Sequence, residues 1–361
     1  MSVSLPDLQH TQTMQHSLLS WYRVHGRHDL PWQHPRTPYR IWVSEIMLQQ
    51  TQVQTVIPYF NNFIQRFPSI EHLANASLDE VLTLWSGLGY YARARHLHRA
   101  AKEIVEKLNG ELPKQADLLK SLPGIGRSTA AAILAQAWDH PEAILDGNVK
   151  RVMCRLHRVA GPPNDKQIES TLWQLAESYT PKHEVAAYTQ AIMDLGATLC
   201  RRTQPKCEIC PLQSQCEAYI MNQTATFPHK MQRHARGRQT TSFLMVQDKE
   251  NGIWLERRNG SGIWGGLFCF PEWDISESIN DWTLAQFGAR VASLEHWPRR
   301  LHRFTHFDLA YDPVKVTLGQ KDLAPRSLPQ YSGQWVPPEA HALPGGVATP
   351  IKQLIDELIE V

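Results

Sequence analysis

The chain carries almost no excess of charge: 37 lysines and arginines against 35 aspartates and glutamates leave +2 over 361 residues. A globally cationic surface is excluded, so any nucleic-acid contact must rest on local basic clusters. No run approaches the roughly 18 apolar residues that span a bilayer. The N-terminus reads neither as a signal peptide nor as an arginine-rich transit peptide. The expectation is a cytoplasmic protein without a membrane partner. Cysteine is scarce, six residues in all. Cys154 and Cys269 stand alone in apolar surroundings, as buried thiols do, which argues against a disulfide framework.

The other four cysteines crowd into residues 200–216 as C-x6-C-x2-C-x5-C, namely Cys200, Cys207, Cys210 and Cys216. Four thiolates in a short loop suit a soft metal, either a structural zinc or a [4Fe-4S] cluster. Zinc ribbons usually show two separated C-x2-C knuckles, and here only Cys207 and Cys210 form one, which favours the cluster. Two basic groups stand out: Arg93, Arg95, His96, His98 and Arg99, and Lys150, Arg151, Arg155 and Arg158. Each reads equally as a nucleic-acid contact or as a solvated helix face.

From residue 14 to 200 the apolar spacing is helical, as in Ile168, Leu172, Leu175 and Tyr179, or Leu97, Ala101, Ile104 and Leu108. Pro113, Pro123-Gly124, Gly161-Pro162-Pro163 and Pro181 separate the helices. The segment 226–240, with Arg233, Arg236 and Arg238, is polar and basic and reads as a linker. Beyond it come short runs rich in β-formers, such as 243–246, 253–255 and 304–311, and a last helix starting at Thr349. The expected fold class is an all-α domain over 1–225 followed by a smaller α+β domain over 241–361.

In Leu122-Pro123-Gly124-Ile125-Gly126-Arg127-Ser128-Thr129-Ala130 one helix ends, the chain turns on two glycines and an alanine-rich helix begins. This pattern, at about residues 118–137, resembles a helix-hairpin-helix. Its glycines let backbone amides at a helix N-terminus approach a phosphate. Asp146 follows the apolar pair Ile144-Leu145 and opens a further helix, where its simplest role is an N-cap. The order hairpin, aspartate, four-cysteine loop resembles the endonuclease III superfamily of DNA glycosylases. Members that also cleave the backbone carry a lysine directly after the Gly-Arg of the hairpin; here that position is Ser128. A Schiff-base route is thereby disfavoured. Glu45 lies three or four residues from Ile41, Trp42 and Leu48, so on a helix its carboxyl shares a face with bulky apolar groups, and burial should raise its pKa. A carboxyl kept protonated near neutral pH can protonate a leaving purine.

The segments Ser44 to Gln52, Gly87 to Arg95 and Leu145 to Val152 look closely like the MutY-type adenine DNA glycosylases. That resemblance implies Glu45 as general acid, Asp146 as the group that stabilises or attacks the oxocarbenium ion, and Asn148 as its orienting neighbour. It implies an adenine pocket at Trp32, Leu48 and Gln190. Gln50, Thr51, Leu88 and Tyr90 would attend the base opposite, and Gly124, Gly126, Arg127, Ser128 and Lys150 would meet DNA phosphates. In the second domain, Ser261 to Pro271 resembles a MutT-like (Nudix) fold, but the metal-binding R-E-x-x-E-E helix does not follow Pro271. Phe304-Thr305-His306-Phe307 resembles a loop that reads 8-oxoguanine, with Thr305 in place of serine.

The resemblance therefore implies a monomeric, monofunctional repair enzyme, nucleoid-associated through DNA binding. It would excise adenine mispaired with 8-oxoguanine or guanine in duplex DNA and hold a [4Fe-4S] cluster. A noncatalytic iron-sulfur damage sensor and an endonuclease III-type glycosylase-lyase are the competing readings. Loss of the cluster is expected to weaken DNA binding more than the chemical step, because the cysteines lie far from Glu45 and Asp146 in sequence.

Overall fold

A computed structural model describes residues 5–230, 236–260, 262–274, 277–321, 333–337 and 343–360. Ser261, and residues 231–235 of the expected linker with Arg233, lie outside the described residues. The chain divides into two compact units: residues 1–75 with 96–232, and residues 76–95 with 233–361.

The first unit is helical. Its helices are α1 (Leu8–His25), α2 (Pro38–Leu48), α3 (Val53–Arg66) and α4 (Ile70–Asn75). After α5 (Leu78–Trp85), which belongs to the other unit, come α6 (Ala92–Lys107), α7 (Ala116–Ser121), α8 (Arg127–Trp138), α9 (Gly147–Leu156), α10 (Lys166–Tyr179), α11 (Val185–Thr198) and α12 (Glu217–Ile220). Local chemistry sets the ends. Thr37 caps α2, with Pro38 at its first position, and Asp146 and Asp165 cap α9 and α10. One apolar core joins α1, α8, α9, α10 and α11, with Met14, Leu18, Ile144, Leu172, Tyr179 and Leu195 buried in it. Cys154 is buried there as well, and burial pushes its thiol up to about 12.

Two glycines permit close approaches that position the site. Gly124, in the α7–α8 turn, has φ +80°, and a Cβ there would come within 2.9 Å of the His96 Cβ. At Gly196 on α11 a Cβ would come within 2.6 Å of the Asn148 Cβ, so α11 and α9 meet closely where Asn148 stands.

The second unit is a sheet with helices. Its strands are β1 (Gly237–Asp248), β2 (Gly252–Arg257), β3 (Phe268–Cys269), β4 (Glu272–Trp273), β5 (Ala289–His296), β6 (Arg300–Arg303), β7 (Phe307–Lys321) and β8 (Gly333–Val336), with α13 (Ile279–Phe287) and α14 (Thr349–Glu360). The order is β3-β2-β1-β7-β5, with β4 beside β1, β6 beside β7 and β8 beside β2. β1 and β7 run parallel, Gly237 opposite Phe307, and the other pairs are antiparallel. Two sequence expectations change here. Residues 237–240 belong to β1, because pairing with β7 supplies their backbone partners, although they look like linker. Residues 304–306 form the turn between β6 and β7, closed by the Phe304 amide donating to Phe307 O, and the strand starts only at Phe307.

α5 and the loop after it join this sheet unit through specific bonds. Arg257 pairs with Asp79, the Tyr91 hydroxyl donates to Val347 O at 3.1 Å, and Arg95 donates to Gly265 O at 2.7 Å.

Candidate active site

Glu45 sits in the second half of α2, with Ile41 and Trp42 fully buried beside it. Its Oε1 accepts a hydrogen bond from Gln136 Nε2 of α8 at 2.8 Å. Burial pushes the carboxyl up to about 7, and the nearby Asp146 carboxylate pushes the same way, against the pull of the Gln136 amide. Glu45 keeps partial solvent access.

Asp146 caps α9. Its Oδ1 accepts from the Val149 amide at 2.8 Å and its Oδ2 from Asn148 Nδ2 at 3.4 Å. Asn148 is itself held by Arg151, whose Nη2 donates to Asn148 Oδ1 at 2.8 Å. Burial raises Asp146 as well, while the amides of Val149 and Asn148, the Arg151 charge and the Asn148 side chain lower it. Asp146 has the helix N-terminus, several donors and a guanidinium to stabilise its charge, and Glu45 has one amide. By donor count the geometry favours the proton on Glu45 and the charge on Asp146.

Gln190 on α11 is 3% exposed and donates through Nε2 to Asp194 Oδ1 at 2.7 Å. Asp194, 1% exposed, also accepts from the Arg27 backbone amide and side chain at 2.6–2.9 Å. A buried carboxylate ringed by these donors fixes the Gln190 amide with its nitrogen engaged and its carbonyl oxygen left as acceptor. Trp32 is 2% exposed and meets Phe60 edge to face at 5.4 Å; Leu48 is the partly exposed last residue of α2.

Cys200, Cys207, Cys210 and Cys216 line one cavity. Among the described residues no three His, Cys, Asp or Glu side chains are grouped as around a single ion. Burial pushes the Cys210 thiol up to about 12 and raises Cys207 and Cys216 too. Arg155, 3% exposed, faces the same cavity. Its guanidinium donates to Cys200 Sγ at 3.3 Å and to the carbonyls of Thr224, Phe227, Arg201 and Arg202. Arg151 donates to Cys200 O at 2.6 Å as well as to Asn148. Although the cysteines lie far from Asp146 in sequence, Arg151 bonds both the Cys200 carbonyl and Asn148, the side chain that donates to Asp146.

Residues 43–178 match the HhH-GPD superfamily base excision DNA repair protein family, and residues 242–357 match the NUDIX domain. The adenine DNA glycosylase of Buchnera aphidicola subsp. Acyrthosiphon pisum is 42% identical over 301 residues, 83% of this chain and 85% of the relative. The chain belongs to the adenine DNA glycosylase family. Among solved structures, a thermostable thymine-DNA glycosylase superposes with a TM-score of 0.54 at 26% identity, covering 59% of this chain and 98% of that one. An endonuclease III in a non-covalent complex with DNA superposes with a TM-score of 0.51 at 22% identity, covering 60% and 99%, a likeness of fold. The helical unit of this adenine DNA glycosylase family member has the endonuclease III-like fold, and its sheet unit is Nudix-like.

The hairpin residues of this family member are held tightly. Gly126 caps α8 without a side chain, and Ser128 Oγ accepts from the Leu145 amide at 3.0 Å, fixing the segment that leads to Asp146. Arg127 pairs with Glu177 and lies 3.7 Å over the Trp173 ring, and Lys150 donates to Glu169 at 2.7 Å. The two basic groups are not uniform cationic stripes. Arg155 is buried against the cysteine loop, Arg151 is spent on Asn148, Gly196 O and Cys200 O, and Arg93 is 7% exposed, stacked over Trp85 and Tyr90.

Gln50 and Thr51 follow α2 in the helical unit, whereas Leu88 and Tyr90 belong to the sheet unit with Phe304, Thr305 and His306. Gln50 and Tyr90 both take left-handed backbone, φ +59° and +51°, unusual for residues with side chains and a common mark of functional turns. Leu88 is buried and Tyr90 is 42% exposed, its ring 5.2 Å from the Arg93 guanidinium. Phe304 stacks on Phe307 at 4.6 Å, and Thr305 and His306 stand exposed at the turn.

Gln136, Arg151, Asp194 and Arg27 escaped the sequence reading as site residues. Gln136 and Asp194 carried a signal: each is a lone polar side chain in an apolar helical stretch, 130–138 and 191–196. A buried polar residue on a core face demands a partner.

Proposed function

We propose that the chain hydrolyses the N-glycosidic bond of adenine paired with 8-oxoguanine or guanine in duplex DNA, leaving an abasic site without cleaving the backbone. Two acids in unequal surroundings carry this reading: Glu45 with a single amide donor beside apolar side chains, and Asp146 at the N-terminus of α9 with the Val149 amide and Asn148 donating to it. Glu45 donates its proton to the extruded adenine at N7, so the base departs neutral with the bonding electrons. The Asp146 carboxylate, oriented by Asn148, stabilises the positive charge developing at C1′. Water then adds to C1′ and gives a proton to Glu45, restoring the starting state. Gln190, its nitrogen engaged by Asp194, turns a carbonyl acceptor to the adenine amino group, and Trp32 and Leu48 supply apolar walls. Ser128 supports the monofunctional route: it sits where a lyase would need its lysine, and its hydroxyl is committed to Leu145.

The remaining residues fit duplex recognition. Amides at the start of α8, beside Gly124 and Gly126, suit a phosphate oxygen, with Arg127, Ser128 and Lys150 flanking. By resemblance Gln50 and Thr51 in the helical unit, and separately Leu88 and Tyr90 in the sheet unit, are assigned to the base opposite the adenine. Thr305 and His306 offer hydrogen-bonding groups to 8-oxoguanine from the β6–β7 turn.

The donor set of the cysteine loop fits a [4Fe-4S] cluster. Four thiols line one cavity, and the buried Arg155 guanidinium beside Cys200 Sγ would offset a cluster's negative charge. Bound there, the cluster supplies a structural crosslink of residues 200–216.

The test is single-turnover adenine release from an 8-oxoguanine:adenine duplex by Glu45→Gln. Loss of release with duplex binding retained is expected; release at the unmodified rate would remove Glu45 from the chemistry.

A further inference from the structure

Gln136 has a single hydrogen-bonding partner among the described residues, and that partner is the acid at the centre of the site. Its Nε2 donates to Glu45 Oε1 at 2.8 Å, while its own Oε1 is buried without a partner. The side chain is 2% exposed and stands alone between Ala130 and Trp138 on α8, a helix otherwise apolar over that stretch. An unpaired buried carbonyl works against folding, and an aliphatic side chain of equal size would avoid it. Packing alone does not account for an amide here.

We propose that Gln136 is a positioning residue for the proton donor: its amide anchors Oε1 of Glu45, so that the transferable proton sits on Oε2, the oxygen left free to face the base. The proposal rests on the reading of Glu45 as the general acid. Two groups act on that carboxyl from the elements around it. Asp146, at the start of α9, favours the protonated form by repulsion, and Gln136, from α8, favours the ionised form by donating to it. The amide thus keeps the acid strong enough to give its proton away, while the repulsion from Asp146 keeps its carboxylate basic enough to take one back from water.

Glu45 must be protonated to act, so activity falls as the pH rises through its pKa. Removing the donor to its charged form raises that pKa. In Gln136→Leu, single-turnover adenine release from an 8-oxoguanine:adenine duplex should keep its alkaline limb about one pH unit higher than in the unmodified protein. The plateau below that limb should fall severalfold, because the carboxyl is free to rotate. Duplex binding should hold, and the thermal midpoint should hold or rise. Gln136→Met, unbranched and of similar length, should reproduce both changes.

A pH profile superimposable on that of the unmodified protein would overturn the proposal. So would a Gln136→Leu chain that fails to fold, since a positioning role leaves the packing indifferent to the amide. The two readings fail separately. If Glu45→Gln still releases adenine, the general-acid reading is lost; if it does not, and the Gln136→Leu profile is unmoved, only the role of Gln136 is lost.

Discussion

At the scale of single residues, the site is governed by how many donors each acid can reach. Glu45 holds its proton up to about pH 7 where an ordinary glutamate loses it at 4.5. The folded chain therefore binds a proton that the unfolded chain releases. That contribution to stability is complete below about pH 4.5 and is lost as the pH rises through about 7. Glu45→Gln removes the cost of burying the charge, so at pH 8 it should stabilise the fold by roughly 2–3 kcal/mol, and at pH 5 by much less. Thermal unfolding of both proteins at the two pH values checks this, and an equal change at both would show that Glu45 does not titrate with folding. The apolar neighbours of Glu45 were legible in the sequence because Ile41, Trp42 and Leu48 follow helical spacing. Gln136 was not: it lies 91 residues away, and nothing in the order of residues states which helix faces which.

At the scale of elements, α9 is the part that joins Asp146 to the cysteine loop. Its first turn holds Asp146, its second holds Arg151, and its last holds Arg155, spaced so that one helix touches the carboxylate, the Cys200 carbonyl and the Cys200 sulfur. In sequence the three look like a cap and part of a basic stripe, because composition cannot distinguish an arginine in solvent from one spent on carbonyls. The joined geometry changes what cluster loss should do. Cys207→Ser, or iron chelation, should bleach the visible thiolate–iron absorption and weaken duplex binding. It should also slow adenine release from the duplex that remains bound, by about tenfold or more, as Arg151 loses a fixed partner and Asn148 drifts from Asp146. Undiminished release from bound duplex would mean that Arg151 keeps Asn148 in place without the loop.

At the scale of the whole chain, the sequence separates a helical from a sheet-forming part but does not reveal that residues 76–95 pack with the second. Their motif reads like any other helix and loop of the first half, and the bonds that claim them, Asp79 to Arg257 and Tyr91 to Val347, span more than 170 residues. Deleting residues 241–361 is consequently a poor test of recognition, since it strips α5 and the Tyr90 loop of their packing. Substitution at the β6–β7 turn is cleaner. Phe304 stacked on Phe307 and the β6–β7 pairing keep the turn in shape without help from the next two side chains. Thr305→Val with His306→Ala removes the exposed hydrogen-bonding groups and leaves the sheet intact. Adenine release opposite guanine should persist, while the preference for 8-oxoguanine over guanine should fall by about tenfold, the worth of roughly one hydrogen bond. Paired single-turnover assays on the two duplexes measure that ratio, and a ratio equal to that of the unmodified protein would move lesion reading away from this turn.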